Sequence, residues 1–137
     1  MIDTYTIYFY GQSLGNYFLS NFFVRPFCVN VDGQDITFKT SEHYYQYLKM
    51  KDNEEYKKLI LESKTPSEAK RLGHKGVCDI KQWDSKKDDM MRHVLKIKFQ
   101  DPVLKKKLLE TGDALLVEQS PIDYYWGCGK KGQVKTF

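Results

Sequence analysis

The 137-residue sequence predicts an α+β fold, a helix-rich single domain spanning residues 1–137 with a small antiparallel sheet. Three observations carry this. Runs of β-branched and aromatic residues occupy 5–10, 27–31 and 36–38; Asp32-Gly33 joins the second and third; and beyond Thr40 the apolar residues recur at helical spacing between capping and stop signals. No internal repeat and no Pro/Gly/Ser-rich linker divides the chain.

An Asp-Gly pair between apolar runs is a strong hairpin signal, because both central residues of a tight turn need positive φ. Ser41 then reads as the N-cap of a helix over Ser-Glu-His-Tyr-Tyr-Gln-Tyr-Leu-Lys, with Glu42 in its first turn. A second helix is expected from residue 52 or 53 to 62 with Tyr56, Leu59 and Ile60 inward. Thr65-Pro66-Ser67-Glu68 marks the third start most clearly: threonine caps, proline fits the first helical position and glutamate completes the box. Gly73 or Gly76 ends it. Met90, Met91, Val94, Leu95, Ile97 and Phe99 make residues 84–99 the longest amphipathic helix. Asp101-Pro102 opens another, with Leu104, Leu108 and Leu109 on one side and Gly112 after its end. Residues 114–117 read as a short strand, and 120–137 as loop.

Composition narrows the class. With 41% hydrophobic and 15% aromatic residues the chain is globular rather than disordered. Net charge is +4, and among the basic residues the only arginines are Arg25, Arg71 and Arg92, so bidentate phosphate readers are scarce. An anionic or nucleic-acid ligand is compatible with that charge without being required by it. Cys28, Cys78 and Cys128 stand fifty residues apart with no Cys-x-x-Cys pair, which argues against zinc and for reduced thiols. The start lacks a secretory leader, and no apolar run reaches the ~20 residues of a membrane helix. A cytoplasmic, metal-free protein without a cofactor is expected.

Chemistry concentrates in the first helix. At about 100° per residue, Gln46 falls about 40° to one side of Glu42 and Lys49 about 20° to the other, while Tyr44 and Leu48 project oppositely. Glu42 and Lys49 lie two turns apart, roughly 10 Å, too far for an i,i+4 pair. That stripe suits the two ends of a ribose-sized ligand; a solvated outer face would have the same pattern. His43 lacks a nucleophile or orienting group in its sequence neighbourhood. Trp83 and Trp126 are candidates to stack on a base, Trp126 the stronger because Gly127 and Gly129 leave backbone approachable. Glu118 and Asp123 add carboxylates of the kind that stabilise an oxocarbenium-like state or direct water.

Taken in order, Leu19-Ser20-Asn21-Phe22, Asp32-Gly33, Ser41-Glu42-His43-Tyr44-Tyr45-Gln46 with Lys49, residues 69–73, Trp83 with Lys87 and Met91, Lys98-Phe99, Thr111-Gly112-Asp113, Leu116-Val117-Glu118 and Asp123 through Trp126-Gly127 to Gly129 resemble the NADAR family of YbiA-like proteins. The resemblance covers residues 9–133. It implies a helix-rich α+β fold and an N-glycosidase that cleaves a ribose C1–N bond, either removing ADP-ribose from guanine in DNA or RNA or hydrolysing phosphoribosylamino intermediates of riboflavin synthesis. Glu42 is then the leading catalytic carboxylate, with Asp123 beside it and Lys49 a charged or imine-forming partner of the sugar. Ser20, Asn21, His43, Gln46, Trp83, Lys87, Glu118, Trp126 and Gly127 are its substrate contacts. A non-catalytic nucleotide binder is the rival reading.

Two departures from the family pattern stand out. The chain reads Gly129-Lys130-Lys131-Gly132-Gln133 and ends at Phe137, where the resemblance leads one to expect a closing helix. If that helix walls the pocket, activity is weakened or a partner supplies the wall. His74 occupies a position where arginine is common in the family, which puts the phosphate contact implied by the resemblance in question.

Overall fold

The structure is a computed structural model, and it describes residues 5–10 and 17–118. Within the described residues, five helices and two two-stranded sheets make an α+β fold. They fall into two compact units: Val24–Asp101, and the segments Met1–Phe23 and Pro102–Phe137 that flank it in sequence.

The central unit begins with the expected hairpin, β1 (Phe27–Val31) antiparallel to β2 (Gln34–Phe38), in a register that sets Phe27 opposite Phe38. Asp32 and Gly33 both take positive φ, 51° and 84°, as a tight primed turn requires. The side chain of Asn30 braces the turn by accepting from the Gly33 amide and donating to Asp35.

Helix α1 (Ser41–Lys49) follows at once, but its cap is Thr40 rather than Ser41. Thr40 has extended backbone, and its hydroxyl accepts from the His43 amide at 3.2 Å. The two neighbouring hydroxyl residues are equally good caps by type, and the strand's extended geometry, carried one residue past Phe38 and Lys39, selects the first. Helix α2 (Glu54–Glu62) is capped by Asn53 and buries Ile60, with Tyr56 half-buried and Leu59 turned outward. Helix α3 (Pro66–Lys75) has the cap read from sequence: Thr65 accepts from the Glu68 amide, Pro66 stands in the first turn, and Gly76 terminates.

Helix α4 (Ile80–Lys98) starts four residues earlier than its apolar pattern suggests, capped by Asp79 accepting from the Gln82 amide. Ile80, Lys81 and Gln82 are all exposed, so periodicity has nothing to register in that first stretch. Trp83 sits inside the helix and not at its start.

The core of this unit is aromatic. Phe38 and Tyr44 rings lie 4.6 Å apart, Phe38 and Tyr47 5.1 Å, and Phe27 and Tyr44 6.0 Å, within the range of favourable aromatic pairing. The Tyr44 hydroxyl meets His93 Nε2 at 2.8 Å, which ties α1 to α4. Hairpin, α2, α3 and α4 all pack on α1, so its residues from Ser41 through Tyr47 are buried on every side. Arg25 grips Asp101 with both Nε and a terminal nitrogen, closing the unit where its chain enters and leaves.

In the flanking unit, β3 (Thr6–Phe9) pairs with β4 (Leu115–Glu118) in parallel, Thr6 opposite Leu115 and Phe9 opposite Glu118. Parallel partners need a long crossover, and here more than a hundred residues intervene; the sequence pattern marks the strands without marking that pairing. The expected antiparallel sheet is therefore only the hairpin. Helix α5 (Pro102–Leu109) buries Leu104 but leaves Leu109 70% exposed, against the expected common face. A short 3-10 turn, Tyr17–Leu19, precedes Ser20, whose hydroxyl accepts from the Phe22 amide.

Candidate active site

Of the polar stripe on α1, the acid and the amide point into protein. Glu42 is 7% exposed and Gln46 3%. One turn apart, they meet directly, with Gln46 Nε2 donating to Glu42 Oε1 at 2.9 Å. A carboxyl group taken from water is costly unless hydrogen bonds replace hydration, and this bond supplies one of them.

What holds Gln46 is α3. A Cβ built on Gly73 would stand 1.8 Å from Gln46 Oε1 and 2.5 Å from its Cδ, so glycine is what lets Gln46 keep this rotamer at the crossing. The Gly73 α-hydrogen that replaces such a Cβ is aimed at Oε1, with Cα and oxygen within ~3.3 Å, the geometry of a weak C–H···O contact. Oε1 accepts no conventional hydrogen bond among the described residues. On the other flank of α1, Tyr45 packs edge-on against Trp83 of α4, with ring centroids 5.2 Å apart. Since Gln46 faces α3 and Tyr45 faces α4, Glu42 projects between these two helices.

His43 is not poised for a ligand. Its ring is 1% exposed and both nitrogens are engaged: Nδ1 lies 2.7 Å from Thr40 Oγ1 and Nε2 3.1 Å from the Ser63 carbonyl. A carbonyl can only accept, so Nε2 carries the proton and Nδ1 accepts from the threonine hydroxyl. Burial lowers the imidazole pKa below its ordinary value, with the Ser63 bond acting against it. His43 pins the α1 start to the α2–α3 connection.

The remaining candidates divide by position. Lys49 and Trp83 line one cavity at the C-terminal end of α1. Lys87 pairs with Asp84 at 3.2 Å along α4. Ser20 is buried, Asn21 half-buried and Glu118 half-buried at the end of β4, all in the flanking unit. Asp123, Trp126 and Gly127 lie outside the described residues. Gly73 and the orienting role of Gln46 were missed by sequence reasoning. The available signal was a glycine within a helical pattern, which usually has a packing reason.

A helix-rich α+β fold built on a buried, amide-held glutamate defines a class, and comparison identifies it. The NADAR domain matches residues 8–136, and the chain belongs to the NADAR family. It is 40% identical over 138 residues to the N-glycosidase YbiA of Escherichia coli K12, covering 99% of this chain and 82% of that protein. The N-glycosidase Npun_R5314 of Nostoc punctiforme is 39% identical over 130 residues, covering 90% of this chain and 80% of the other. The chloroplastic riboflavin biosynthesis protein PYRR of Zea mays is 38% identical over 113 residues, 74% of this chain but 18% of that protein. The NMR structure of E. coli YbiA superposes with a TM-score of 0.79 at 36% identity, covering 97% of this chain and 77% of that one. By this homology the chain is a YbiA-like N-glycosidase. No helix among the described residues is long and apolar enough to cross a membrane.

Proposed function

We propose that the chain hydrolyses the bond between ribose C1 and a base nitrogen, with Glu42 as the carboxylate that faces the developing cation. The observation that supports this most is the fixed, buried Glu42–Gln46 pair. As the C1–N bond breaks, its electron pair leaves with the nitrogen and positive charge spreads over C1 and the ring oxygen. A carboxyl group already desolvated and oriented stabilises that charge without reorganising. Water then adds its oxygen to C1, and its proton is transferred to the departing nitrogen.

In this reading Asp123 or Glu118 positions the water or the sugar hydroxyls, and Trp126 or Trp83 stacks on the base. Ser20, Asn21, Lys87 and Gly127 complete the substrate contacts, and Gln46 orients Glu42. Lys49 acts as a charged partner of the sugar rather than as an imine former. It stands two turns from Glu42, roughly 10 Å along the axis, and lines a cavity whose walls do not include Glu42. Borohydride treatment during turnover should trap no covalent adduct; a trapped adduct lost in Lys49→Ala would restore the imine.

ADP-ribose on guanine in nucleic acid is the proposed substrate, supported by the lysine-rich composition and the net charge of +4. A second reading has its own support: one relative at 38% identity is a riboflavin biosynthesis protein, which favours phosphoribosylamino pyrimidines. Side-by-side assays decide. Release of ADP-ribose from modified oligonucleotides at a kcat/KM well above that for ribose 5-phosphate release supports the first reading, and the reverse order supports the second.

A further inference from the structure

Thr40, His43 and Ser63 form a buried polar cluster that the proposed chemistry leaves unused. All three are closed to solvent, at 0%, 1% and 4% exposure. The cluster sits at the start of α1, where Glu42 is the residue next to His43.

The Thr40 hydroxyl does two things at once: it accepts from the His43 amide at 3.2 Å and donates to His43 Nδ1 at 2.7 Å. This is a capping box with a change. The third helical residue reaches back with an imidazole, and it meets the cap's hydroxyl instead of its amide. Both bonds span residues 40 to 43, so they close a ring around Ser41 and Glu42. The backbone from which Glu42 projects is thereby fixed at its root, while Gln46 holds the carboxyl tip. The helix itself adds little there, since the first α1 backbone bond, from the Tyr44 amide to the Thr40 carbonyl, is stretched to 3.4 Å.

The far side of the imidazole is anchored as firmly. Nε2 donates at 3.1 Å to the carbonyl of Ser63, the C-cap of α2. Ser63 is itself held by its amide on Leu59 and Ile60 and by its hydroxyl on Ile60 at 2.6 Å. These contacts need a neutral ring, one nitrogen donating and the other accepting. A second proton would set Nδ1–H against the hydrogen of a threonine hydroxyl sealed from solvent. Burial is the main opposition to that proton and Lys39 adds to it, whereas the Ser63 bond and Glu68 of α3 favour it.

We propose that His43 is a positioning residue for the cleavage: its neutral ring, bonded to Thr40 and Ser63, aims Glu42 by fixing the first turn of α1. It acts through Glu42 and not on the substrate, so the inference rests on Glu42 being the acting carboxylate.

Two measurements on the full chain test it. Proton–nitrogen correlation spectra of the wild-type ring at neutral pH should show the Nε2–H tautomer; an Nδ1–H or doubly protonated ring overturns the arrangement. Thr40→Val removes the hydroxyl with little change of shape. Assayed on a competent ribosylated substrate, where circular dichroism shows it folded, it should lower kcat about tenfold, short of the roughly hundredfold that about 1 Å of misplacement can cost. KM should stay within about twofold of wild type. Thr40→Ser, which keeps the hydroxyl, should restore kcat. An unchanged kcat in Thr40→Val, a rise in KM alone, or an equal loss in Thr40→Ser overturns the proposal, since the cluster would then be scaffold, substrate contact or packing. Glu42→Gln tells this failure from that of the proposed function. In a Glu42→Gln background Thr40→Val should cost little more, and a full tenfold further loss means that the cluster acts elsewhere. Normal turnover by Glu42→Gln itself overturns the proposed function, and with it the group that His43 aims.

Discussion

Gln46 donates to Glu42 across 2.9 Å while its own carbonyl oxygen presses on Gly73, so the orientation of the buried acid is set by a glycine one helix away. The relay runs α3, Gln46, Glu42, and each link is steric or hydrogen-bonded rather than dependent on solvent. Placing the proposed catalytic acid on a helix buried on all sides gives it the locked rotamer that a surface helix would not.

Gly73→Ala tests the relay. The added methyl cannot coexist with Gln46 in its present rotamer, so either α3 moves or the amide swings off Glu42. Overpacking of this kind costs about 1–3 kcal/mol, and kcat should fall at least tenfold. The informative measurement is a double-mutant cycle in stability and kcat: in a Gln46→Ala background, where the clash has been removed, Gly73→Ala should cost little more. Full additivity would mean that Gly73 acts through something other than Gln46.

Gln46→Leu should shift the acidic limb of the kcat/KM profile to higher pH, because removing a donor disfavours the charged form of the carboxyl it served. A pH–rate profile unchanged in shape, merely scaled, would reduce Gln46 to packing.

His43 makes stability sensitive to mild acid. Burial holds its pKa below the unfolded value of about 6.5, so below that pH the unfolded chain binds the proton first and stability falls as pH falls toward the folded pKa. Nearby Lys39 adds to the depression and Glu68 opposes it. Thermal midpoints of wild type and His43→Gln, compared from pH 7.5 to 5, should converge as the medium acidifies.

Lys98 produces a slope at the opposite end. It is 5% exposed, and desolvation brings its pKa down to about 7, against about 10.4 unfolded. Between those values the unfolded state holds the extra proton, so stability rises with pH across this window and carries the full burial cost below about 7. Lys98→Met should flatten the dependence of the thermal midpoint on pH between 7 and 10; an unaltered slope would place its origin elsewhere.

Local signals read well from the sequence wherever a residue type has one use. Asp32-Gly33 specifies its turn because both residues must adopt positive φ, and Thr65-Pro66 specifies a helix start because proline is tolerated there and hardly anywhere else in a helix. Family membership was legible from the order of short motifs. Periodicity told less than expected about α1: it separated two stripes but could not say that both would be covered, since burial of the polar stripe depends on α3 and α4, whose Gly73 and Trp83 lie 27 and 38 positions beyond the Gln46 and Tyr45 they meet. The same limit hid Gly73, whose significance exists only against Gln46. It also hid the parallel pairing of β3 with β4, which no local pattern encodes. The burial of the tyrosines flanking Glu42 does follow from residue type: Tyr44, Tyr45 and Tyr47 bury large apolar areas that bulk water would disfavour.

The central claim is that the acid on α1 performs the cleavage, and Glu42→Gln measures it most directly. Glutamine preserves size and can still hydrogen-bond, so the fold should survive with a thermal midpoint near that of wild type. On a competent ribosylated substrate kcat should then drop by about 10³ or more, the scale seen when a principal electrostatic stabiliser is removed. Turnover within a fewfold of wild type, in a variant shown to be folded, would contradict the account and move the chemistry off this helix.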